Sequence, residues 1–74
     1  MSEDQFVSLF TEAIGADPSA FTLDTPLRQL DIWDSVAYLA VMTMVDEHMN
    51  VVLPPDFLVG ATTAREILAR ARQG

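Results

Sequence analysis

The residues best suited to chemistry in this 74-residue chain are few, and most lie near one point. Asp34 and Ser35 form a polar pair between an aromatic residue, Trp33, and the stretch VAYLAVMTMV, ten positions without a charge. A serine hydroxyl can be a nucleophile, a helix cap or an acceptor of a phosphoryl group. Nucleophilic catalysis needs a base within hydrogen-bond reach. The single histidine, His48, falls thirteen residues later on what reads as the same helix. At 1.5 Å per residue the two lie roughly 20 Å apart, which excludes a Ser-His pair. Asp46, Glu47 and His48 are metal-ligand types, but adjacent helical positions point in different directions. There is no cysteine, so no thiolate site and no disulfide. Gly15, Gly60 and Gly74 are too far apart for a phosphate-binding loop. Met42, Met44 and Met49 read as adaptable core or contact residues. No catalytic set and no metal site emerge.

The elements that must position Asp34 and Ser35 are helical. Ser2 with Gln5 makes a capping box for a first helix over residues 3 to 14. Its apolar residues Phe6, Leu9, Phe10, Ala13 and Ile14 recur at helical spacing. Gly15 suits the C-terminal cap and Pro18 blocks continuation. Residues 15 to 33 form a long connection, yet Phe21, Leu23, Leu27, Leu30, Ile32 and Trp33 run through it, so it must pack on the core. Asp24-Thr25-Pro26-Leu27 predicts a turn opening a short helix with Pro26 in its first turn. A second helix starts at Asp34 or Ser35, either of which can cap it, and ends near Met49 with Asn50 as terminator. Its apolar run is too continuous for a one-faced surface helix. Val51-Val52-Leu53 reads as a short extended piece, and 56 to 60 as one or two helical turns. Thr63 and Glu66 predict a capping box for a last helix, with Ile67, Leu68 and Ala71 as its apolar stripe. The expected fold is all-α: a small four-helix bundle with a long loop between helices 1 and 2, residues 1 to 74 forming one domain.

Composition narrows the function. Eleven acidic residues face four arginines, a net charge of −7. Residues 1 to 34 hold seven acids and one arginine, and residues 35 to 74 four acids and three arginines. An acidic front disfavours nucleic acid, whose phosphates need cations, and suits basic patches on proteins. No stretch approaches the ~20 apolar residues of a membrane span. MSEDQF is acidic where a secretory signal is basic. A cytoplasmic monomer is the expectation.

A helix start also favours a phosphodiester on Ser35, because free amides and the dipole welcome negative charge. Here the chain resembles the acyl carrier protein family, with its peptidyl and aminoacyl relatives, over nearly its whole length. Asp34-Ser35-Val36 is similar to the family's Asp-Ser-Leu motif opening the second helix. Val52-Leu53-Pro54 resembles the hydrophobic-proline step after that helix, and Thr62-Thr63-Ala64 the Thr-Thr-Val that begins the last one. The resemblance implies a carrier, not an enzyme. Ser35 would receive 4′-phosphopantetheine from coenzyme A through a phosphopantetheinyl transferase, with Asp34 as motif residue and cap. The arm would hold acyl or aminoacyl groups as thioesters for loading enzymes and downstream transferases or synthases. Ile32, Trp33 and Val36 would form an apolar collar read by partners, with Tyr38, Asp46 and Glu47 as further partner contacts. Val41, Val45, Leu53, Leu58 and Ile67 read as core, and in carriers that sequester cargo the matching positions line an acyl pocket. Departures point to a specialised pathway, in secondary metabolism, modified lipids or amino-acid loading. Ala37, Tyr38 and Ala40 stand where fatty-acid carriers show acidic or polar residues, and Ile32-Trp33 replaces the Gly-Gly frequent in peptidyl carriers. The competing expectation is an unmodified acidic helical adaptor using Tyr38 and Met42 to bind one protein.

Overall fold

The computed structural model describes residues 1–73, so the final residue of the expected 1–74 domain lies outside the described residues. The described residues form four α-helices: α1 (Glu3–Ile14), α2 (Ser35–Met49), α3 (Pro55–Gly60) and α4 (Ala64–Gln73). No strand occurs among the described residues. The capping box at the start of α1 is complete: Gln5 N–H donates to Ser2 Oγ at 3.1 Å, and Ser2 N–H to Gln5 Oε1 at 3.1 Å. Gly15 closes α1 in the left-handed region at φ 76, and Asn50 closes α2 likewise at φ 58. Phe6, Phe10 and Ile14 are buried along α1, while Leu9 and Ala13 are half-buried at its edge.

The connection between α1 and α2 is folded rather than slack. It contains two 3-10 turns, Pro18–Ala20 and Leu27–Gln29. Pro26 caps the second turn from outside instead of lying within its first turn, as its ψ of 114 is extended rather than helical. Phe21, Leu23, Leu27 and Trp33 are buried, whereas Ile32 stays 38% exposed. Aromatic packing explains why the segment holds its place. Phe10 is the hub, stacked on Phe21 at 5.4 Å and on Trp33 at 5.8 Å between centroids.

The connection is also fastened to the start of α4. Leu27 N–H donates to Thr62 O at 2.9 Å, and Arg65 N–H to Leu23 O at 3.0 Å. The Arg65 side chain adds a two-pronged bond to Asp24, at 2.8 and 3.0 Å, and lies 3.7 Å from Glu3 on α1. One correction falls here. Thr63 Oγ1 accepts the Glu66 N–H at 3.4 Å, but the Glu66 carboxylate does not return to Thr63. It accepts instead from Thr62 N–H at 3.0 Å and Thr62 Oγ1 at 2.6 Å, while the Thr63 hydroxyl is engaged with the Glu66 N–H. α2 packs against α1, α3 and α4, so it is the central helix of the bundle. Its core face, Ala37, Val41, Met44 and Val45, meets Leu53, Leu58, Ile67 and Leu68 in one cluster.

Candidate functional site

Asp34 and Ser35 divide the work at the start of α2. Asp34 is the N-cap, with extended backbone, and its Oδ1 accepts the Ala37 N–H at 3.0 Å. Its carbonyl accepts the Tyr38 N–H at 2.9 Å. Ser35 is therefore the first helical residue, not the cap. Its side chain is exposed, and among the described residues no hydrogen bond engages its hydroxyl. The amides of Ser35 and Val36, like the first amides of any helix, have no intrahelical partner, and the Asp34 carboxylate occupies only that of Ala37. The first turn thus presents an uncommitted hydroxyl beside two free N–H donors at the positive end of a fifteen-residue helix. Those groups fit a phosphodiester on Ser35.

The approach to Ser35 is fixed by three short backbone bonds, Leu30 N–H to Leu27 O, Trp33 N–H to Leu30 O and Asp34 N–H to Ile32 O, each 3.0 Å. Trp33 anchors this turn. It is only 9% exposed, stacked on Phe10 and met edge-on by Tyr38 at 4.9 Å. Expected in a partner-facing collar, the indole packs mostly into the core, where its area is better buried than left in water. The cost is an indole Nε1–H buried without a partner. Tyr38 is half-buried against it.

Of the expected collar, Val36 is 72% exposed and Ile32 38%. Leu39, at 63%, stands one turn further along α2, a position that sequence reasoning passed over. Its signal was present: ten uncharged positions are more than one core face can absorb, so some had to face outward. Asp46 and Glu47 are exposed but sit at the far end of α2, roughly 16 Å along the axis from Ser35. The structure does not gather them with the collar.

Val41, Val45, Leu53, Leu58 and Ile67 are all fully or almost fully buried and belong to the packed core. Among the better-formed surface depressions are four, and none is lined by any of these five. One of the four, about 290 Å³, lies beside Ser35 and is lined by Ala13, Ile14, Ile32, Asp34, Val36 and Ala37. Among the described residues no three His, Asp or Glu side chains converge as a metal site, and no helix is long and apolar enough to cross a membrane.

A family model described as the phosphopantetheine attachment site matches residues 4–71, nearly the entire chain. The chain therefore belongs to this family of phosphopantetheine-bearing carriers, whose members hold cargo for other enzymes rather than catalyse. No curated protein matches the chain, and neither does any solved structure.

Proposed function

We propose that residues 1 to 74 form one carrier domain, monomeric, with Ser35 as the attachment point of 4′-phosphopantetheine. The observation that carries this reading is the division of labour at α2: Asp34 caps the helix, which leaves the Ser35 hydroxyl free at its positive end. When bound, the group supplies a terminal thiol that holds an acyl or aminoacyl unit as a thioester. The chain's own residues do the rest. The Ser35 and Val36 amides and the α2 dipole offset the charge of the phosphodiester. Trp33, locked on Phe10, holds the turn that presents Ser35. Val36 and Leu39 offer apolar contact to the transferase and to pathway enzymes.

The exposed face near Ser35 favours a specialised pathway. Asp31 and Asp34 are exposed just before Ser35, but α2 itself carries no acid before Asp46, so a basic partner groove has little to grip along the first two-thirds of the helix. Apolar contact at Val36 and Leu39 takes that place. Coenzyme A and a transferase must both reach Ser35, and that need supports a cytoplasmic setting.

The test is an intact mass after incubation with coenzyme A and a broad-specificity phosphopantetheinyl transferase, beside a Ser35→Ala control. The expected result is a gain of one phosphopantetheine in the wild type alone. A folded wild type that gains nothing with several transferases would overturn the reading and leave the adaptor in its place.

A further inference from the structure

The depression beside Ser35 is the first of three that lie in a row. It shares Ala13 with a second depression, of about 250 Å³, lined by Leu9, Glu12, Ala13, Met44, Glu47 and His48. That one shares Leu9 and His48 with a third, of about 480 Å³, reaching Met1, Asp4, Gln5 and Ser8. The three follow the seam between the antiparallel helices α1 and α2, from the attachment point to the opposite end of the bundle. Ala13 and Ala37 line the seam near Ser35, and half-buried Ala40 falls between Ala37 and Met44 by helical spacing. Three small side chains at these positions leave the seam shallowly filled between the depressions. None of the four depressions described above draws a residue from α3.

We propose that the α1–α2 furrow is the resting place of the chain's own phosphopantetheine arm, an inference that rests on Ser35 as its attachment point. The length agrees. Extended backbone advances about 3.5 Å for every three bonds, so the arm's thirteen bonds from phosphorus to sulfur span roughly 15 Å. The α2 side of the furrow, from Val36 to His48, runs roughly 18 Å at 1.5 Å per residue. The tethered thiol therefore reaches the stretch between Met44 and His48. The chemistry agrees as well. Next to Ser35 the walls are Ile14, Ile32 and Val36, apolar surfaces that match the dimethyl group near the phosphate. Further along, Glu12 and Glu47 can accept from the arm's two amides, and Ser8 and Gln5 can donate or accept. Tethering removes most of the association cost, because the furrow opens beside the attachment residue and the effective concentration is high.

Backbone amide spectra of the ¹⁵N-labelled chain before and after phosphopantetheine transfer, with the mass of each sample measured, test the proposal. The expected result is shifted resonances along the seam at Ala13, Ala40, Met44 and His48, beyond those at Ser35 itself. Nuclear Overhauser contacts from a ¹³C-labelled arm to Leu9 and Met44 should accompany them. An Ala13→Arg variant, which fills the point where the depressions join, should still gain the arm's mass but lose the shifts at Met44 and His48. If that variant does not fold, the wild-type contacts decide. A mass gain with shifts confined to residues 34 to 38, or falling on α3 around Val59, overturns the furrow and leaves the attachment intact. No mass gain overturns both.

Discussion

At the scale of single residues, the site rests on two neighbours with opposite fates. Ser35 is exposed and uncommitted, so Ser35→Ala should abolish loading by mass while changing stability by less than about 0.5 kcal/mol in a urea melt. Trp33 is buried and fully committed. Trp33→Ala should cost about 3–5 kcal/mol, the usual loss for a large aromatic in a core. Trp33→Phe keeps most of the stacking on Phe10 and removes the unpaired Nε1–H, whose burial is itself unfavourable. It should therefore cost less than about 1.5 kcal/mol, and a comparable loss in both variants would count against the stacking account. Leu39 belongs at this scale too. Leu39→Asp should leave the melting temperature within a degree or two of wild type, being 63% exposed. It should lower kcat/KM for phosphopantetheine transfer by roughly tenfold, the loss of one apolar contact worth about 1.4 kcal/mol. An unchanged rate would remove Leu39 from the docking face.

At the scale of elements, α2 is set by its two ends. Asp34→Ala removes the side-chain acceptor of the Ala37 N–H and should cost about 1 kcal/mol by denaturant titration. That exceeds the effect of Ser35→Ala, and the reverse order would reassign the cap. The last turn of α2 needs Asn50 at φ 58 and that of α1 needs Gly15 at φ 76. A Cβ at Gly15 would meet nothing within 4 Å, so any cost of Gly15→Ala comes from backbone strain alone. The interlock between the long connection and α4 shows how a loop of this length stays ordered: backbone bonds at Leu27 and Arg65 are backed by the Arg65–Asp24 pair.

For the molecule as a whole, that interlock ties acid sensitivity to the fold. The Arg65 side chain, through its hydrogen bonds first and its charge second, holds Asp24 below the usual 3.8. Bonds from the Ser19 backbone and hydroxyl do the same for Asp17. The hydroxyl and N–H of Thr62 lower Glu66 from 4.5. A carboxylate lowered in the folded state contributes stability that is complete above its unfolded value and lost as pH falls through its folded one. The urea midpoint should therefore be level with respect to these three groups above about pH 5 and decline below about pH 4. Asp24→Asn and Glu66→Gln should each flatten that decline. All three groups are exposed, so salt should diminish the contribution of the Asp24–Arg65 pair.

The sequence alone determined the helices, their order and their caps at Ser2, Gly15 and Asn50, because those features are local: periodicity, turn residues and capping chemistry act within a few positions. It also brought attention to Asp34 and Ser35 and, through motifs spread from Asp34 to Ala64, to the carrier family. What it left open at α2 was which of the two residues caps the helix, a choice made by how the turn from Leu27 to Asp34 enters it. Tertiary structure alone decided that Trp33 turns inward, since only the assembled Phe10–Phe21 surface offers a place to stack it. It decided that Leu39 faces out, because the core accepts just one face of α2. And it laid a row of depressions from beside Ser35 to His48, which exists only where α1 and α2, separated by twenty residues of connection, lie side by side.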